Sequence, residues 1–261
     1  MVSRLISWLL IPSPRLLFAL LVTLLLVWRL GGLSLDALVE SREAEGEFVA
    51  AYLAHDYERA AAAGRRRLAA EVVEPDHALL TALADSMVRA GASNEGLALA
   101  QRVLERARKI HGESSSEVAL AKNNLAWFMI VAPDPSEGDL RAAKRLAESA
   151  VELAPDNPYC QGTLGTINLL IGDAHAAREL LESALARHTE ADARATDGVI
   201  LALALARLGA LDEARERFEE ALVRGRPDPR FMTEAEELFS ASANDVRDQA
   251  SENEIEEEWL L

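Results

Sequence analysis

Positive charge is scarce in this chain. Twenty-seven Lys and Arg stand against 43 Asp and Glu, a net charge of -16. That balance repels phosphate backbones, so a nucleic-acid ligand is not expected, and basic or zwitterionic protein surfaces fit better. Cysteine is almost absent. Cys160 alone cannot form an intrachain disulfide, and it reads either as a small buried apolar side chain or as a reactive thiol. Aromatics make up only 5% of a chain that is half hydrophobic. A core built from Ala, Leu and Val suits close packing of helix on helix, which makes the chain all-α. Catalytic and nucleotide motifs are missing too. No stretch reads GxxxxGK[ST], no GxGxxG follows a strand, and His55, His77, His111, His175 and His188 show no HExxH spacing. Asp85, His111 and Glu113 fall on different elements. No enzyme activity, cofactor, metal or small-molecule substrate is therefore expected.

What the chain does have is a stretch, Pro158 to Thr189, whose small and large residues alternate as two touching antiparallel helices require. Leu164 and Gly165 lie on the first helix and Gly172-Asp173 form the turn. Ala177 permits close approach, Leu181 fills the gap beside it, and Ala184 faces the next unit. This spacing resembles the tetratricopeptide repeat (TPR), a helix-turn-helix of about 34 residues that stacks on copies of itself. The resemblance implies a right-handed α-solenoid that works by holding protein partners. It also assigns Gly165 of the Gly162-Thr163-Leu164-Gly165 run to helix contact rather than to a phosphate loop.

Other units fall into the same register. The small residue of the first helix recurs at Ala84, Ala126, Gly165 and Ala202, at intervals of 42, 39 and 37 residues. The repeats are placed at 77–116, 119–157, 158–191 and 195–228. Upstream, 36–75 reads as a linking helix and a degenerate first repeat, with the Arg65–Arg67 run on a solvated face. Gly112-Glu113 followed by Asn123-Asn124-Leu125-Ala126 is similar to the longer repeat of kinesin light chains, which implies repeat geometry rather than motor association. Pro133 to Asp139 form an extended turn that projects from one edge. Phe231 to Ala243 read as a helix covering the last repeat (230–243), and 244–261 as an acidic tail ending in Trp259-Leu260-Leu261. Fold-back of that tail and docking to another protein both fit it.

The first 35 residues differ in kind. Leu16–Val27 is apolar except for Thr23, and Leu16–Leu35 as a helix would rise about 30 Å, the hydrocarbon thickness of a bilayer. Arg29 near its end can reach the headgroups, and Trp8 and Trp28 fit an interfacial belt. A cleaved signal peptide is the alternative, but cleavage near Gly31 or Gly32 puts Arg29 or Leu30 where a small residue is wanted. The expectation is an uncleaved N-terminal membrane anchor (1–35). A one-charge excess on its N-terminal side places the repeats outside the cytoplasm, and the composition suggests a bacterial inner membrane.

Such a stack lines a concave face with the first helix of each unit. Fixed offsets along those helices nominate Asn123, Asn124 and Trp127, then Tyr159, Thr163 and Thr166, then Thr196, Val199, Ile200 and Leu203. Family resemblance singles out Asn124, because an Asn at that place in the repeat hydrogen-bonds the backbone of an extended ligand, and an amide supplies both donor and acceptor. A carboxylate clamp is not expected, since Arg89 and Lys122 are the main cations on the mapped face of units two and three. The function expected is a membrane-anchored scaffold that binds a segment or helix of a partner protein. The alternative is a structural subunit of a membrane complex that uses its outer surface and tail.

Overall fold

The computed structural model describes residues 35–70 and 75–239, and among them every regular element is a helix. The membrane span expected at Leu16–Leu35 falls, but for its last residue, outside the described residues, as do the acidic tail and the end of the covering helix. Among the described residues no helix is long and apolar enough to cross a membrane.

Two units are distinguished, Met1–Asp76 and His77–Leu261. In the first, α1 (Leu35–Leu53) and α2 (Tyr57–Ala69) form an antiparallel pair. Phe48 and Ala51 of α1 and Ala60, Ala61 and Ala63 of α2 are buried. The Arg65–Arg67 run is not uniformly solvated. Arg67 is buried and its Nε donates to Glu45 Oε2 at 3.0 Å, while Arg66 pairs with Glu47.

The second unit holds four helix pairs. They are α3 (His77–Arg89) with α4 (Ser93–His111), α5 (Ser116–Val131) with α6 (Glu137–Leu153), α7 (Pro158–Leu170) with α8 (Ala174–Arg187), and α9 (Ala191–Arg207) with α10 (Leu211–Arg224). A further helical segment, α11, covers 229–239. Helices stop where glycine permits a left-handed residue. Gly172 has φ +92°, its N–H donates to Leu169 O, and Asp173 N donates back to Asn168 O at 2.8 Å. Gly91 and Gly209 end their helices in the same way, a hydrogen-bonded stop that L side chains resist.

Close approach of paired helices rests on missing side chains. A Cβ on Gly165 would stand 2.9 Å from Leu181 Cγ and 3.3 Å from Ala177 O, and one on Gly96 would meet Ala84 O at 2.6 Å. Ala84, Ala126 and Ala202 are fully buried at the equivalent register. Each pair also packs on the next. Successive first helices touch one another (α3 with α5, α5 with α7, α7 with α9), whereas successive second helices do not pack comparably. The first helices therefore form the inner layer.

Three boundaries differ from the sequence expectation. Helix α5 begins at Ser116, because the Ser115 side chain accepts from Val118 N and caps it there. Helix α9 begins at Ala191 rather than 195. The extended turn is confined to 132–136, because Ser136 and Asp139 form a capping box that draws Glu137–Asp139 into α6.

Candidate functional site

The inner faces of α5, α7 and α9 leave a cleft of about 210 Å³ between them. Asn123, Asn124 and Trp127 enter from α5, Tyr159 and Thr163 from α7, and Ala193, Thr196 and Asp197 from α9, with His188 from the α8–α9 link. Helical spacing explains the set, because residues three and four apart share a face.

Polar groups line its floor. Asn123 is 4% exposed; its Nδ2 donates to Asn124 Oδ1 at 3.4 Å and its Oδ1 has no hydrogen-bond partner. His188 Nε2 stands 3.0 Å from Asp197 Oδ2, and both side chains are buried. Burial pushes the Asp197 carboxyl above the ordinary carboxylate range, and the neighbouring imidazole opposes the rise. Tyr159 meets the His188 ring edge-on at 4.7 Å, and partial burial with a hydrogen bond to Glu190 pushes its phenol up to about 12. Glycine makes room for the acid. A Cβ on Gly162 would lie 2.6 Å from Asp197 Oδ2 and 2.7 Å from Oδ1.

Beside the cleft the chain folds back along α9. Past α10, Arg226 N donates to Asp192 Oδ1 at 2.9 Å and Asp228 N to Thr196 Oγ1 at 3.0 Å, so the backbone runs along α9 as an extended ligand would. Asp228 Oδ2 then accepts from Arg89 Nη2 on α3 at 2.6 Å, and Arg89 Nε also donates to Asp85 Oδ1. Arg230 Nη1 reaches Ala132 O, Phe231 packs against Trp127 at 5.9 Å, and Glu234 pairs with Arg207. At its far end Phe239 stacks on Phe218 of α10.

This arrangement sorts the residues nominated by sequence. Asn123, Asn124, Trp127, Tyr159, Thr163 and Thr196 come together in the cleft. Thr166, Val199, Ile200 and Leu203 do not, and their placement on a partner-facing surface is corrected. Thr166 is buried with its hydroxyl on Gly162 O at 2.8 Å. Val199, Ile200 and Leu203 share one core with Phe231, Ala235 and Phe239, because α11 covers the face of α9 that the offsets assume is open. Arg89 is engaged by Asp85 and Asp228. Lys122 points to the opposite side, where its Nζ meets Ser149 Oγ at 2.9 Å beside a separate groove between α4 and α6. Asp85 pairs with Arg89, Glu113 with Arg108, and His111 lies 3.9 Å from Glu117. Among the described residues no three His, Cys, Asp or Glu side chains are grouped to hold a metal ion. Cys160 is fully buried and its thiol is pushed up to about 11 by desolvation, the state of a packing residue. Sequence reasoning missed His188 and Asp197. The signal available was the single acid in the run Ala195–Leu205.

No family model matches the chain, and no curated protein matches it. Among solved structures, the chain is similar to a thermophilic TPR protein from Thermus thermophilus, at 21% identity and a TM-score of 0.56, over 76% of this chain and 98% of that one. A putative kinesin light chain with nearly identical TPR-like repeats from Podosopora anserina matches at 19% identity and a TM-score of 0.49, over 70% and 94%. The first likeness shows the fold: the stack of helix pairs is a tetratricopeptide-repeat solenoid.

Proposed function

We propose that the protein is a membrane-anchored scaffold whose inner cleft holds a segment of a partner protein. The observation that carries this reading is the convergence of Asn123, Asn124, Trp127, Tyr159, Thr163 and Thr196, from three successive first helices, on one opening beside a stretch of backbone already bound along α9. Side-chain amides that serve both as donor and acceptor suit peptide backbone, and the flanking aromatics suit its side chains. The role in this reading is binding, which is what a stack of tetratricopeptide-like helix pairs supports. Anchoring by the N-terminal segment 1–35 in a bacterial inner membrane, the extracytoplasmic placement of the repeats and the right-handed sense of the stack belong to this reading and rest on the sequence. Tethering would raise the effective concentration of partners in the same membrane.

A photo-crosslinking side chain at position 159, on the exposed rim, tests the reading in native membranes. One adducted protein is expected, lost on Asn124→Ala and present when Val223 is changed instead. Deletion of Met1–Leu35 should release the protein from the membrane pellet. The second reading, a structural subunit of a larger complex, is favoured by the apolar side chains that α10 exposes, Leu211, Leu222 and Val223, the last 89% accessible. It predicts crosslinks from position 223 and none from position 159.

A further inference from the structure

We infer that the cleft takes an arginine side chain presented by a basic partner segment, an inference that rests on the protein-binding reading above. Two acceptors in its wall, an amide oxygen and a carboxylate, are short of donors. Asn123 Oδ1 has no hydrogen-bond partner although its residue is only 4% exposed, and the Asp197 carboxylate, 6% exposed, has a single ring neighbour in His188. His188 Nε2 stands 3.0 Å from Asp197 Oδ2 and so shares the carboxylate with whatever enters the cleft. A buried acceptor without a donor is costly, so a ligand that brings donors is favoured, and facing a carboxylate the favoured donor is cationic.

Shape narrows the cation. Trp127 and Tyr159 flank the opening from α5 and α7, and aromatic faces attract a guanidinium through the ring quadrupole. Arginine's planar fork can stack and also donate to two acceptors at once, which an ammonium cannot do with the same geometry. A volume of about 210 Å³ is smaller than the roughly 300–1,000 Å³ of small-molecule pockets and fits one long side chain. Local charge agrees. Among the described residues no Lys or Arg lines the cleft, and the Arg194 guanidinium is turned to His188 O at 3.0 Å. Glu190 borders Tyr159. The net charge of -16 draws basic segments towards the chain as a whole.

The test is fluorescence anisotropy on the full chain in detergent, with three labelled alanine-rich peptides that carry spaced arginines, citrullines or glutamates. Citrulline keeps the shape and removes the charge. The arginine peptide is expected to bind about tenfold or more tightly than the citrulline peptide. Asp197→Asn should reduce that preference to near unity while the far-UV spectrum stays unchanged. Should Asp197→Asn fail to fold, Tyr159→Leu on the rim replaces it, with loss of most of the preference expected. Equal binding of arginine and citrulline peptides, both weakened by Asn124→Ala, would overturn the arginine assignment and leave the peptide-binding reading standing. A preference that survives both Asp197→Asn and Tyr159→Leu, or no binding of any peptide, would overturn it as well.

Discussion

Asp197 sits where an apolar side chain would be cheaper to bury, and two neighbours accommodate it. Gly162 leaves space for both carboxylate oxygens, and His188 stands beside one of them. Because burial raises the folded-state pKa of Asp197, the folded chain holds this proton more tightly than the unfolded chain. Its contribution to stability is therefore present in acid and is lost as pH rises through the folded-state pKa. Asp197→Asn, which carries no charge at any pH, should raise Tm at pH 7 and raise it less at pH 4. Melting curves at the two values check this, and an equal or larger gain in acid would contradict it. Such a residue is retained at a loss of stability, as is common where a side chain serves a site. Its role was hard to see in advance. Inner-face offsets step from Thr196 to Val199 and pass over Asp197, and nothing local in ATDGVILALA shows that Gly162, on another helix, is its counterpart. Gly165, Ala177, Leu181 and Ala184 were legible because close helix approach tolerates few side chains, so small residues at fixed spacing report the contact directly.

Among the elements, the turns show one rule and two exceptions, His55 and Asp134, both non-glycine residues at positive φ. Gly91, Gly172 and Gly209 occupy the left-handed stop between paired helices, and His55 occupies it between α1 and α2, with φ 58°. The backbone bonds there match the others: His55 N donates to Tyr52 O and Asp56 N to Ala51 O. A β-carbon in this conformation costs about 1–2 kcal/mol. His55→Gly should therefore stabilise the α1–α2 pair by about 1 kcal/mol, read as slower amide exchange across Ala51–Ala60. The His55 Nδ1 contact with the Tyr57 hydroxyl at 2.9 Å is exposed and offsets little of this. Helix existence was legible throughout the described repeats, since apolar periodicity and turn glycines agree. Their ends were less so. Ser115 and Ser136 move two boundaries by capping, and serine is common enough in loops that its capping role shows only once the following backbone N–H turns towards it.

In the second unit as a whole, the feature that pattern reading could not supply is the return of 225–239 over the inner layer. A helix after the repeats was expected from Phe231, Ala235 and Leu238, but a contact between residues 139 positions apart, Arg89 with Asp228, leaves no periodic trace. Asp228→Ala should free this segment. Faster amide exchange at 229–239 and a red-shifted emission from Trp127, which packs on Phe231, are the expected signs, while α5–α8 keep their protection. Unchanged exchange at 229–239 would show that Phe231, Ala235 and Phe239 hold the segment without the ion pair. Stacked repeats ordinarily flex like springs, because each unit grips only its neighbours. Here a clasp runs from α3 to the residues just past α10, so the ends of the inner layer are tied together before a guest arrives. Less association free energy is then consumed in ordering the host, and selectivity falls to whichever side chain already matches the opening.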